Sequence, residues 1–124
     1  MNIEAIKELP ITQSYKPAVM ERRQKGQYRE RAGCVVIDQA QDGLKVLLIG
    51  SRSKNYWKIP AGGIEAGESK EMAAERETFE ESGAKGKVGS SLHSWSDHER
   101  MTQTFYYLMS DPKLAEKSEY EEGQ

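Results

Sequence analysis

The stretch Pro60-Ala61-Gly62-Gly63-Ile64-Glu65-Ala66-Gly67-Glu68, followed by the segment Ser69 to Gly83, decides how the rest of the chain is read. That segment ends Arg76-Glu77-Thr78-Phe79-Glu80-Glu81-Ser82-Gly83. Ser69 is a natural N-cap, Lys70–Ser82 is rich in helix formers and free of proline, and Gly83 suits a left-handed stop. The spacing therefore predicts a glycine-rich loop over Ala61–Gly67 and a helix over residues 70–82. On that helix Glu77, Glu80 and Glu81 lie three or four residues apart and crowd one side of a single turn. Glu68 can join them from the loop. Like charges this close repel, so the arrangement calls for a cation. A hard divalent ion with oxygen ligands is the natural occupant, and Arg76 can orient the carboxylates with its rigid fork. A different phosphate loop is excluded, because Gly62 and Gly67 have the first spacing of GxxxxGK[ST] but Glu68 stands where the lysine would be. GxGxxG is absent.

Outward from this segment the rest of the chain reads as one domain. At 124 residues it can bury a single modest core. Apolar residues make up 36% and charged residues 31%, as in a soluble globular protein. No apolar run approaches the ~20 residues of a membrane span, and the N-terminus lacks the apolar stretch of a secretory leader. A cytoplasmic or nuclear setting is expected, in keeping with the lone Cys34, which reads as a small core residue.

Residues 1–27, with Pro10 and Pro17, show no sustained periodicity and read as an N-terminal arm with a short helix over residues 3–9. The domain proper is expected over 28–124. Strands are expected over residues 32–37, 44–49, 57–60, 85–89 and 102–109, with the Asp42-Gly43 turn joining the first two. Strands around one helix without βαβ alternation give an α+β fold. Residues 1–58 carry eleven Lys and Arg against six Asp and Glu, and residues 59–124 carry seven against fourteen. A basic half can hold a polyanion while an acidic half holds a divalent cation. His93 and His98 have no partner at ligand spacing and read as surface residues.

The stretch 62–84 resembles the Nudix box, Gly-x5-Glu-x7-Arg-Glu-U-x-Glu-Glu-x-Gly-U, where U is a bulky aliphatic. Gly62, Glu68, Arg76, Glu77, Glu80, Glu81 and Gly83 match its seven invariant letters, and a chance match somewhere in the chain is roughly 10⁻⁵. Thr78 and Ala84 at the U positions are less bulky or less apolar than usual, which bears on packing more than on catalysis. The resemblance implies an α/β/α sandwich with a mixed sheet and a magnesium-dependent phosphoanhydride hydrolase, with Mn²⁺ as a substitute. It implies metal ligation by the Ala61 carbonyl, Glu77 and Glu81, with Glu80 as general base and Arg76 as its catalytic partner. Glu99 is the candidate base outside the box.

Beyond the box, Tyr28-Arg29-Glu30-Arg31-Ala32-Gly33-Cys34, Val46–Arg52, Trp57, Pro60, Glu99-Arg100 and Thr104–Tyr107 resemble the diphosphoinositol polyphosphate phosphohydrolase group, which also cleaves diadenosine polyphosphates. That resemblance implies substrate-phosphate contacts by Arg29, Arg31, Gly50, Ser51, Arg52 and Arg100, with Arg22 or Arg23 standing in for a further arginine. Met101-Thr102-Gln103 replaces basic residues of that group, weakening the grip on a highly phosphorylated ring. Members of the group continue into a closing strand and a C-terminal helix that includes a phosphate-binding lysine. The C-terminal part of the fold is therefore expected to be truncated here. A polyphosphorylated small molecule is the expected partner, with no membrane; nucleic acid is disfavoured, capped RNA being the one form left open. Tyr28, Tyr56 and Trp57 are the aromatic candidates for holding a base, Trp57 being equally readable as core. Three competing readings are a non-catalytic Nudix-fold module for nucleotides, polyphosphates or RNA, an acidic helical interaction domain, and a Nudix hydrolase for another nucleoside diphosphate derivative. The first has no use for so much negative charge, and the second leaves the spacing unexplained.

Overall fold

The computed structural model describes residues 17–51 and 55–116. Among the described residues two helices and seven strands run in the order α1 (Pro17–Lys25), β1 (Arg29–Ala40), β2 (Gly43–Val46), β3 (Ile49–Gly50), β4 (Trp57–Lys58), β5 (Ala61–Gly63), α2 (Lys70–Ser82), β6 (Ala84–Asp97) and β7 (Thr102–Leu114). The main sheet is mixed, in the order β2-β1-β7-β6, with β5 pairing the same edge of β1 as β2 does. β1 and β7 run parallel, placing Arg29 beside Thr102 and Arg31 beside Thr104, while β6 and β7 form a long antiparallel hairpin. This is the expected α+β class with a mixed sheet.

Helix α2 has the expected bounds. Ser69 Oγ accepts from the Met72 amide at 3.1 Å, and Gly83 adopts φ 76° while its amide donates to the Phe79 carbonyl. The cap satisfies one of the first-turn amides, and the left-handed glycine ends the helix without a Cβ clash. The helix lays Ala73, Ala74 and Thr78 on one face of the sheet. There they meet Ala32, Cys34 and Val36 of β1 and Tyr107 and Met109 of β7, all buried. Because side chains alternate across a strand, the residues between these point to the opposite face. Arg29 and Arg31 of β1 and Thr102, Thr104 and Tyr106 of β7 thus share the face away from α2.

Several sequence expectations need correction. The arm contains a helix at Pro17–Lys25, whereas residues 3–9 lie outside the described residues. Pro17 opens α1 where a missing N–H costs nothing. Its only buried side chain is Arg23, so no apolar period marked it. Instead α1 docks through arginine: Arg22 Nη2 and Nε donate to the carbonyls of Arg100 and Met101 at 2.9 and 3.2 Å. The expected strand 44–49 splits in two. Its first part closes a hairpin on β1, with Ala40 opposite Gly43, and Ile49–Gly50 turns away to pair with Trp57–Lys58. The start of the expected glycine-rich loop is strand β5, in register with residues 31–33. Trp57 is 72% exposed and is not core. Among the described residues no helix is long and apolar enough to cross a membrane.

Candidate active site

The site is built where β5 passes the flank of α2. Gly62 brings the backbone against the helix so closely that a Cβ there would strike the Glu77 carboxylate. One residue earlier, the Ala61 amide donates to Glu81 Oε1 at 2.7 Å. Glu77 and Glu81 are thereby held against the Ala61–Gly62 backbone. Burial pushes the Glu81 carboxyl up, opposed by the Ala61 amide and by the nearby Lys58 and Arg31.

Arg76 is the hub of the helix side. Its Nε and Nη2 clasp Glu68 in a bidentate pair at 2.7 and 3.0 Å. Its Nη1 reaches Glu77 at 2.8 Å and Glu80 at 3.2 Å, and Nη2 also donates to the Gly63 carbonyl at 3.0 Å. Arg76 thus offsets part of the carboxylate crowding read from the sequence, one positive charge against Glu68, Glu77 and Glu80, and leaves Glu81 to the Ala61 amide. The pairing with Arg76 holds the Glu68 carboxyl down at about 2 and raises the guanidinium pKa well above its ordinary value. Glu80 is the most accessible of these three carboxylates, with 38% of its side chain exposed against 15% for Glu77 and 12% for Glu68.

On the opposite face of the sheet lies a cavity of about 650 Å³ whose wall carries Arg22, Arg29, Arg31, Lys58 and Arg100 against one carboxylate, Asp97. Arg31 joins this cavity to the carboxylate site. Its Nη2 donates to the Ala61 carbonyl at 2.9 Å, and its Nη1 makes a longer contact of 3.4 Å with Thr104 Oγ1. Arg29 lies over Gly63, where a Cβ would meet its guanidinium. Arg100 is exposed on the turn after β6, 3.8 Å from Asp97.

The structure thus brings together Arg76, Glu77, Glu80, Glu81 and Ala61 on one side, and Arg29, Arg31 and Arg100 on the other. Gly50 and Ser51 do not line the cavity; Ser51 is buried, and its amide donates to the Tyr56 carbonyl at 3.0 Å. Arg52 lies outside the described residues. Of the two arm arginines, Arg22 faces the cavity, whereas Arg23 is buried with Nη2 directed at the Glu99 carbonyl. Glu99 is exposed and is not part of the cavity wall. Tyr28 bonds to His98 Nδ1 instead of lining the cavity. Sequence reasoning missed Lys58 and the aromatic residues Trp95 and Tyr106, which join Tyr56 on the wall. Lys58 closes strand β4, and its positive charge next to Trp57 was the one signal that could have drawn attention. Trp95 carried no signal until β6 was paired with β7, which sets it opposite Thr104.

The comparisons with known proteins bear on the family and the fold. The model of the NUDIX domain matches residues 27–122. The chain belongs to the Nudix family. It is 30% identical over 102 residues to diphosphoinositol polyphosphate phosphohydrolase 2 of Rattus norvegicus, covering 82% of this chain and 57% of that protein. It is 32% identical over 90 residues to diphosphoinositol polyphosphate phosphohydrolase 3-beta of Bos taurus, covering 72% of this chain and 55% of the relative. The chain therefore spans little more than half the length of these curated relatives. Among solved structures, a MutT/nudix family protein from Enterococcus faecalis superposes with a TM-score of 0.60 at 26% identity, over 79% of this chain and 45% of that one. The Ap4A hydrolase of C. elegans superposes with a TM-score of 0.56 at 21% identity, over 72% of this chain and 76% of that one, a likeness of fold.

Proposed function

We propose that the chain hydrolyses a phosphoanhydride of a polyphosphorylated small molecule, with a divalent cation, Mg²⁺ or Mn²⁺, as cofactor. The observation that carries this reading is the junction made by Arg31, whose guanidinium stands in the cationic cavity and bonds to the backbone against which Glu77 and Glu81 are packed. A substrate with several phosphates can rest its flanking groups on Arg29, Arg31, Lys58 and Arg100 while the scissile group meets the carboxylate helix.

The residues present fit a magnesium-type ion. The donors are all hard oxygens, namely Glu77, Glu81 and the Ala61 carbonyl. Among the described residues no group of three or more His, Cys, Asp or Glu is placed to hold a metal ion, so a cation here would take its remaining ligands from water and substrate. Magnesium suits such a site, because it takes one or two carboxylates and completes its shell with water and substrate phosphate. When bound, the cation supplies Lewis acidity that favours ionisation of the attacking water and offsets phosphoryl charge. Glu80 accepts the proton of that water as its oxygen attacks phosphorus and the bridging oxygen departs with the leaving phosphate. Arg76, tied to Glu68, Glu77, Glu80 and the Gly63 carbonyl, keeps the carboxylates in register for this transfer.

Diphosphoinositol polyphosphates are the first substrate class, since the cavity offers five cations. A second class is favoured by a specific observation: Tyr56, Trp95 and Tyr106 stand on the same wall, and Trp95 is 65% exposed. Aromatic faces of this kind suit a nucleobase, which favours diadenosine polyphosphates. The test is phosphate or nucleotide release with Mg²⁺ over a panel of diphosphoinositol polyphosphates, diadenosine polyphosphates, ADP-ribose, capped RNA and 8-oxo-dGTP. Release from one of the first two, lost in Glu80→Gln and weakened in Arg29→Ala, is the expected result. Wild-type turnover by Glu80→Gln would refute the assigned base, and ADP-ribose as best substrate with Arg29→Ala unchanged would refute the polyanion reading.

A further inference from the structure

We infer that Arg31 gates the metal site: its guanidinium holds the Ala61 carbonyl, and a polyanion entering the cavity draws it away. The inference rests on the reading above, in which that carbonyl belongs to the cation's donor set. Two observations carry it. Arg31 Nη2 donates to the Ala61 carbonyl at 2.9 Å, so the oxygen proposed as a ligand already has a cationic partner. The same side chain lines the cavity, and its second contact, to Thr104 Oγ1, is long at 3.4 Å.

A carbonyl oxygen has two lone pairs, but a guanidinium and a divalent cation on one oxygen repel each other strongly. Loading the cation therefore works against Arg31 as long as the arginine stays in place. Arg31 has five N–H donors in a planar fork suited to phosphate oxygens, and a carbonyl competes poorly with a charged phosphate for them. A bound polyanion thus removes the repulsion at the carbonyl. By linkage the cation then strengthens polyanion binding by the same factor, so the two load together. Arg29 supplies the contrast. It lies on the same wall with the same charge, but its guanidinium rests over Gly63 and makes no bond to the Ala61 carbonyl.

The experiment titrates Mn²⁺ into the substrate-free protein and reads free ion by electron paramagnetic resonance, in wild type, Arg31→Gln and Arg29→Gln. Arg31→Gln is expected to bind Mn²⁺ about tenfold more tightly than wild type, with Arg29→Gln changed less than about threefold. Sulfate, at ionic strength matched with chloride, is expected to tighten Mn²⁺ binding in wild type and leave Arg31→Gln unmoved. Circular dichroism confirms that each variant is folded, and Arg31→Ala provides a second neutral form. Equal affinity in wild type and both Arg31 variants would overturn the gate while leaving the metal reading intact. Equal tightening by Arg29→Gln would also overturn it, assigning the effect to general charge. Absence of Mn²⁺ binding in every form would overturn the metal reading and the gate together.

Discussion

Thr78 occupies a position where the Nudix box usually has a bulky aliphatic residue, and the obvious repair, Thr78→Val, is expected to weaken the protein. Thr78 is fully buried on the inner face of α2, and its Oγ1 accepts from the Cys34 amide at 3.1 Å. Cys34 falls in a gap along the outer edge of β1. β5 pairs with residues 31–33 and β2 with residues 37–40, so neither strand supplies a partner for that amide. Valine keeps the shape and adds apolar character worth about 0.8 kcal/mol. It also strands a buried N–H, at a cost of about 1–3 kcal/mol. The net expectation is a loss of about 0.2–2 kcal/mol, or a fall in Tm of roughly 1–9 °C for a domain of this size. Urea and thermal unfolding followed by circular dichroism measure it. Thr78→Ser, which keeps the hydroxyl and loses only a methyl, serves as the control. Faster hydrogen exchange at the Cys34 amide in Thr78→Val, but not in Thr78→Ser, should accompany the loss. A valine variant as stable as wild type, with Cys34 still protected, would refute the reasoning.

Glu68 makes acid sensitivity specific. Its carboxyl is held at about 2, against an ordinary 4.5, chiefly by Arg76 and secondarily by the Glu65 amide. A lowered folded pKa means that its stabilisation is complete above pH 4.5 and drains away as pH falls towards 2. Urea unfolding at intervals over that window should show a shallower pH dependence in Glu68→Gln than in wild type; identical slopes would count against the pairing. At Gly62, alanine would push the Glu77 carboxylate off the β5 backbone, so Gly62→Ala should keep its helical signal while Mn²⁺ affinity falls by on the order of 10–100-fold. Unchanged affinity would show that Glu77 does not need this close approach.

The helix of the loop-helix element was legible from end to end, whereas the first residues of its loop formed strand β5. Ser69, the proline-free run and Gly83 are local signals, and the helix has the bounds they give. The carboxylate cluster was legible for the same reason, since residues three and four apart on a helix must be neighbours. Its compensation was less so: Arg76 was expected to orient the cluster, but its reach to Glu68 and to the Gly63 carbonyl depends on how the loop folds back. Helix α1 was illegible because it docks through arginine–carbonyl bonds, which leave no apolar period. The split of residues 44–49 was hidden because one apolar run serves two sheets.

The sequence by itself determined the family, the carboxylate helix and the alternation that turns Arg29 and Arg31 to one face, because all three depend on spacing along the chain. Tertiary structure alone decided that β7 lies parallel to β1 and that β6 swings Trp95 over Thr104. It also decided that Arg31 reaches the Ala61 carbonyl, 30 residues away. Those contacts join residues whose separation is set by strand pairing, and period-two alternation fixes the face a side chain occupies without naming the strand that will lie beside it.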